Sequence, residues 1–315
     1  TKTTVAIEVP PAVDLTGDET ASTVTAGNGD YAFPGLTDGS YVVTPREGTY
    51  GFAPASRAVT IAAGSVPGQD FVATLMGPPV VSAGGVFYPT IDAAIAAVPP
   101  GTMITLFAGT YAGPLTLPGG ISLEGAAPHQ TVIDGGGAAR VVQIGGSSAL
   151  PPTTLRNLRV TGGVVGIEVG TVPGDSPQVL LEHLIVSRTT GDAVHGASGG
   201  TLTASFVTLA NNGGDALDLA LADAVVRDSI AARNGGVGVR NSGAAGTLRT
   251  RFLCVSSNAG GAWAGSVQNT SWHQAPPQFG DEASEDYQSL GSCPTIDRAD
   301  PASPFGSEPS NHGGR

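Results

Sequence analysis

Apolar and polar residues alternate in short segments along nearly the whole chain. Glycine or proline closes almost every segment, which predicts many brief strands joined by tight turns. Val5, Ile7 and Val9 alternate with Thr4, Ala6 and Glu8, so residues 1 to 11 begin with a strand that has one apolar face and is stopped by Pro10-Pro11. Val13 to Thr16, Tyr31 with Phe33, and Tyr41 with Val43 continue the alternation between turns at Gly27 to Asp30, Gly35-Leu36 and Asp38-Gly39. The period changes once. From Tyr88 to Gly101, Thr90 is a good N-cap and Ile91, Ala94, Ile95 and Val98 share a face, which predicts one short amphipathic helix. Strand patterning resumes at Thr102 to Tyr111, Leu115 to Pro118, Ile121 to Gly125 and Thr131 to Gly135.

Further along, the pattern repeats. Gly191, Gly213, Gly235 and Gly260 follow related segments at intervals of about 22 residues, the length of one solenoid coil. At a fixed distance ahead of each glycine stand Val186, Thr208, Ile230 and Val255, expected to stack inward coil upon coil. Asp192 and Asp215 recur beyond the turn, leading into Val194 and Leu217. About eight such coils fit between residues 102 and 275, a rod of about 40 Å at ~4.8 Å per rung. The division expected is a small β-sandwich over 1–76, with 1–11 as an extension strand, a linker over 77–87, and a parallel β-helix with its tail over 88–315.

Composition agrees. The 315 residues include 47 glycines and 24 prolines, with 40% hydrophobic and only 13% charged, as suits an all-β chain long enough for two domains. The net charge is −12 and every basic residue except Lys2 is arginine, so no nucleic-acid partner is expected. No apolar run reaches the roughly 18 residues of a membrane span, and the first residues lack a leader pattern, so an exported chain is expected in its mature form. Cys254 and Cys293 enclose a loop of roughly 40 residues, whose closure in an oxidising compartment contributes about 4 kcal/mol. A disulfide is expected there, two buried thiols being the alternative.

Residues Asp30-Tyr31 to Pro45, Tyr50 to Pro54 and Gly68 to Phe71 resemble the carboxypeptidase-regulatory or SdrD-B-like family of transthyretin-type β-sandwiches, which implies a spacer or adhesion module. The helix and the segment Thr102 to Tyr111 resemble the entrance of the pectate-lyase-like right-handed parallel β-helix superfamily, in which the helix caps the open end of the solenoid. Pro294 to Pro304 and Asn311 to Arg315 resemble the closing segment of bacterial surface β-helix proteins.

Such β-helices include polysaccharide lyases and hydrolases. Removing a proton beside a uronate carboxylate needs a base, together with a cation or neutral acid that quenches the carboxylate. Arg156, Arg159, Arg188, Arg227, Arg233 and Arg251 are interspersed with Glu168, Glu182, Asp192, Asp215, Asp218 and Asp228, and they recur at turns and strand edges as a solvated face does. His195 reads as a structural histidine, and Gly196 to Gly200 matches G-x-S-x-G without the strand–helix context that motif needs. Calcium could draw on Asp192 with Asp215, or on Asp281, Glu282, Glu285 and Asp286, but neither set has loop-motif spacing. No catalytic residue, metal or cofactor is therefore expected. Asn269-Thr270-Ser271 is a formal glycosylation sequon, and Trp263 and Trp272 suit either sugar stacking or the core.

The function expected is that of an extracellular or cell-surface structural protein. It would polymerise head to tail with itself by donating the strand of Val5, Ile7 and Val9 to a neighbour. The alternative is a polysaccharide-active lyase or hydrolase, or a glycan-binding β-helix.

Overall fold

A computed structural model describes residues 11–26, 28–46, 50–75, 81–170, 174–243, 246–282 and 286–289. The chain is nearly all β, with 52% strand and one helix among the described residues. It falls into two compact units that meet in sequence between Thr90 and Ile91.

In the first unit Ala12–Gly17 pairs antiparallel with Ala21–Val24 on one side and Gly39–Arg46 on the other, and Arg57–Ile61 completes a four-stranded sheet. Tyr50–Ala53 and Val72–Leu75 form a separate antiparallel pair. Alternation places Val13, Leu15, Tyr41 and Val43 on one face of the larger sheet, where they are buried beneath Tyr31, Phe33, Leu36, Val59, Ile61 and Phe71. The strand of Val5, Ile7 and Val9 lies outside the described residues. Val81–Ala83 and Val86–Tyr88 pair around Gly84-Gly85, so much of the stretch expected as a linker is a hairpin.

The second unit opens with the helix Ile91–Ala97, which buries Ile91 and Ala94 and packs on Met103–Leu106 and Leu115–Leu117. A parallel β-helix of about 7 turns follows, one fewer than expected. Coils vary in length: 22 residues separate Asn212 from Asn234, whereas 32 separate Glu124 from Arg156. Each complete coil contributes a rung to three parallel sheets. Sheet A begins with Met103–Leu106, Ser122–Gly125, Thr153–Arg156 and Gln178–Glu182 and continues through Ser205, Arg227 and Arg251. Sheet B runs from Gly109–Ala112 through Thr131–Asp134, Arg159–Thr161, Ile185–Ser187 and Thr208–Ala210 to Val255. Sheet C includes Leu115–Leu117, Arg140–Ile144, Val165–Val169, the starts of Val194–Ser205 and Leu217–Ala232, Val239–Asn241 and Trp263–Ala264.

In-register stacking with a side-chain period of two builds the core as continuous columns. On sheet A the column is Ile104, Leu123, Leu155, Leu181, Ala204 and Val226, and on sheet B it is Tyr111, Ile133, Val160, Val186, Leu209, Ala231 and Val255, all buried. This corrects the expected stack. Val186 and Val255 do point inward, but Thr208 and Ile230 belong to the adjacent column with Ile185 and Cys254, and their inward places are taken by Leu209 and Ala231. The coil that begins at Val186 carries one extra residue in the strand Val194–Ser205, whose register against the next coil shifts between Gly196 and Gly199, so the glycine that aligns with Gly191 is Gly214, then Gly236 and Gly260, as the Gly214 N–H to Gly191 O, Gly236 N–H to Gly214 O and Gly260 N–H to Gly236 O bonds record.

Two corners define the coil. From the rung Thr153–Arg156 onward a single left-handed residue makes the bend between sheets A and B: Asn157, His183, Phe206, Asp228, Phe252 and Ser271 all have positive φ. Between sheets B and C, Thr189, Asn212, Asn234 and Asn258 form a ladder. Each asparagine Oδ1 accepts the backbone N–H one coil back, at 3.0–3.1 Å, and the Asn212 and Asn234 amides donate both onward and to buried carbonyls. These bonds satisfy the polar backbone of a buried turn.

After the last rung the chain folds back along the outside of sheet B. Phe279 and Tyr287 cover Ile185, Ala210 and Ile230, while Glu282 binds Asn211 and Arg233 and offers its carbonyl to Arg188. Cys254 is buried under this return, with Sγ 3.3 Å from Ala275 O. Cys293 lies outside the described residues, and no disulfide forms among those described. Asn269 is exposed on the final rung, where it continues the sheet A column as Val226, Thr250, Asn269, so the column turns polar where the stack ends.

Candidate functional site

The returning segment closes the outer face of sheet B over coils with Ile185 to Ile230, leaving the outer faces of sheets A and C to carry chemistry. On sheet C, alternation sends Ile167, Val194, Leu217 and Val239 inward and the following residues outward. Because the rungs are parallel and in register, Glu168, His195, Asp218 and Arg240 stack in one outward row contributed by four successive coils.

The turn from the asparagine ladder into sheet C adds a second row beside the first. Asp192 Oδ1 accepts the Asp215 N–H at 2.7 Å, and Asp215 Oδ1 accepts the Val237 N–H at 2.5 Å. A Cβ at Gly214 would run into the Asp192 carboxylate and one at Gly236 into that of Asp215, so glycine at these places is what lets the carboxylates fold over the turn. Asp215 is also held by the Arg240 guanidinium.

The two rows meet at His195. Its Nδ1 lies 3.8 Å from both Asp192 Oδ2 and Asp218 Oδ2. One atom from each of the three side chains falls within 4.8 Å of the others. The side chains are 33%, 26% and 20% exposed for His195, Asp192 and Asp218, so solvent reaches the cluster from one side only. Asp218 Oδ1 is buried without a hydrogen-bond partner among the described residues. Burial chiefly, with the charges of Asp215 and Asp218, raises the Asp192 carboxyl above its ordinary pKa, against the opposing effects of the Asp215 N–H and His195. Arg140 reaches Glu168 one step along the row.

Such a set offers an imidazole that takes or gives a proton, one carboxyl biased toward its protonated form and one carboxylate beside them. One imidazole and two carboxylates also form a ligand set that a divalent metal ion accepts. This is the constellation that the sequence reading did not assemble. Asp192 and Asp215 do occupy adjacent coils, but Asp215 is engaged by Arg240 and by the turn backbone, and the partners that converge with Asp192 are His195 and Asp218. His195, read from the sequence as a partly buried structural histidine, is partly buried and belongs to the cluster. In the second acidic set Glu282 binds Arg233 and Asn211, and Glu285 lies outside the described residues. The G-x-S-x-G match at Gly196 to Gly200 falls inside the strand Val194–Ser205, so it is no nucleophile elbow. Arg156, Arg188, Arg227, Arg233 and Arg251 sit away from the cluster, paired with Glu124, Glu282 and Asp228 or stacked on Phe252. Trp263 and Trp272 pack edge to face at 5.3 Å.

Strand register and core columns together define the class: this is a parallel β-helix protein. No protein-family model matches the chain, and no curated protein matches it. Among solved structures it is similar to pectate lyase Pel9A, with 18% identity and a TM-score of 0.42 over 60% of this chain and 65% of the lyase, just under two thirds of that protein's length. It is also similar to the A-module of the Azotobacter vinelandii mannuronan C-5 epimerase AlgE4, with 16% identity and a TM-score of 0.39 over 59% of this chain and 69% of that module. Both are parallel β-helix proteins.

Proposed function

We propose that this β-helix acts on an acidic polysaccharide laid along the outer face of sheet C, by removing the proton next to a uronate carboxylate. The observation that carries this reading is the convergence of Asp192, His195 and Asp218 from two adjacent coils onto one half-open spot. His195 is the base and Asp218 stabilises the imidazolium it becomes. Asp192, biased toward its protonated form, donates a hydrogen bond to the substrate carboxylate and quenches the charge that builds there. From the resulting carbanion two outcomes are open. The glycosidic oxygen at the adjacent carbon leaves, taking the proton held by the His195 imidazolium or one from water, or water returns a proton on the opposite face and inverts the centre while His195 gives its own to solvent.

Incubation with alginate or pectate in heavy water separates these from no reaction. Deuterium incorporated into recovered uronates reports proton removal, and unsaturated chain ends report elimination. Neither signal from any uronate polymer, or signals that survive His195→Ala, would end the reading. A second reading, assembly by strand donation, is favoured by the edge strand Val72–Leu75 of the two-stranded sheet, where Val72 is 67% exposed.

A further inference from the structure

The outer face of sheet A carries a different surface. Its last outward position in five successive coils forms the row Glu124, Arg156, Glu182, Ser205, Arg227, stacked in register. Within these five rungs long charged side chains fill every place but one. At Ser205 the row falls away between Glu182 and Arg227, and a groove of about 240 Å³ opens, bounded on the corner side by His183 and Phe206. Those two corner residues succeed one another along the stack, and their rings lie face to face, 5.0 Å apart and 9° from parallel, an aromatic column spanning two coils.

We infer that this groove is a saccharide-binding site, separate from the sheet C cluster, that holds a neutral oligosaccharide segment. Both cations along it are neutralised, Arg156 by Glu124 at 2.9 Å and Arg227 by Asp228 at 3.3 Å, and Glu182 adds a negative charge, so the walls do not attract a polyanion. Carboxylate acceptors and guanidinium donors instead alternate at the rung spacing of ~4.8 Å, which is close to the length of a pyranose ring and suits a ligand with hydroxyls along both edges. The short Ser205 leaves room for the ring, and the stacked pair of His183 and Phe206 gives the groove an apolar border against which its C–H groups rest. The site stands whether or not the sheet C cluster is catalytic. It would anchor a carbohydrate matrix on a face that the reacting chain does not use.

The test is isothermal titration with neutral oligosaccharides (xylo-, cello- and malto-hexaose) and with an oligouronate as comparison. The expected result is binding of at least one neutral series that is insensitive to salt between 50 and 500 mM, roughly, since no counterions are released. Ser205→Arg, which completes the charged row and fills the dip, should weaken it at least tenfold. Phe206→Asn should do the same by removing the ring, and asparagine accepts the left-handed backbone that Phe206 adopts. Both variants should keep any deuterium exchange catalysed at sheet C, and equal melting temperatures would confirm intact folding. No neutral series binding at millimolar concentration, or binding unchanged in both variants, would overturn the site. Loss of sheet C exchange alone bears on the function proposed above and leaves this site standing.

Discussion

His195 and Asp218 hold the same outward position on successive rungs of sheet C, with the imidazole Nδ1 3.8 Å from the carboxylate Oδ2. Neither is a core residue, so replacing them should alter stability by no more than about 1 kcal/mol. If they are the base and its charge partner, His195→Ala and Asp218→Asn should each lower uronate proton exchange by about 100-fold or more while the melting temperature barely moves. A parallel fall in melting temperature and activity would mean that the pair is structural.

Asp192 makes a prediction about pH. Its carboxyl is raised in the folded protein by burial and by Asp215 and Asp218, so the native state binds that proton more tightly than the unfolded chain. The associated stability is therefore fully present below the unfolded aspartate value and is lost as pH rises through the folded one. Asp192→Asn cannot lose this proton, and its amide oxygen still accepts the Asp215 N–H. The melting temperature of the variant relative to the parent should thus climb between pH 4 and pH 7, roughly, and level off above. A difference that stays constant across that range contradicts the raised carboxyl.

The alternation that makes the fold was legible because every rung obeys it. The glycine register was legible only approximately, since one extra residue at the register shift between Gly196 and Gly199 displaces Thr208 and Ile230 from the column in which equal spacing puts them. Aligned by the observed turn bonds, the coils read Gly191-Asp-Ala-Val-His195, Gly214-Asp-Ala-Leu-Asp218 and Gly236-Val-Gly-Val-Arg240. The recurrence of Asp192 and Asp215 is visible in the sequence. The outward column of His195, Asp218 and Arg240 appears only once these pentapeptides are stacked, because residues more than twenty positions apart become neighbours through the register alone. The return of the chain over sheet B had no signal at all: Glu282 looks like one more surface acid until Arg233 and Asn211 are placed beneath it.

Asn234 lies in the middle of the asparagine ladder, 2% exposed, with Oδ1 accepting from Asn212 and Nδ2 donating to Leu209 O, Ala232 O and Asn258 Oδ1. Asn234→Leu removes all of these and strands buried partners on both adjoining coils, at a cost of about 3 kcal/mol. Asn234→Asp keeps the acceptor but loses the donors and buries a charge, so it should be no better. Chemical denaturation that found either variant within about 0.5 kcal/mol of the parent would show that the ladder adds nothing beyond van der Waals contact.

Cys254 is buried beneath the returning segment, close to Ala275 O. A bridge to Cys293 would tie that segment to sheet B. If that bridge forms, the protein isolated under oxidising conditions and denatured without reductant should show no reactive thiol, and Cys293→Ser should expose one and lower the melting temperature. Two thiols titrating in the untreated protein would exclude the bridge.

Assembly through the first residues rests on an edge and on a sequence pattern. Among the described residues Tyr50–Ala53 pairs only with Val72–Leu75, so this sheet has outer edges whose backbone groups are open to a further strand. Val72, 67% exposed on one of them, offers an apolar side chain to such a strand. Val5, Ile7 and Val9 share one face of a segment with no proline until Pro10, the pattern needed to pair by main-chain bonds while filling alternate pockets. If a neighbour's segment occupies the edge, removing residues 1 to 9 should leave a folded β-helix that stays monomeric in sedimentation at concentrations where the full chain forms fibres, and a peptide of those residues should block growth. Replacing Val72 with lysine should weaken assembly without touching the segment itself, since an edge lysine opposes strand addition. Fibres from the truncated chain, or a full chain that stays monomeric at high concentration, would rule out donation between copies and leave the segment to its own sheet.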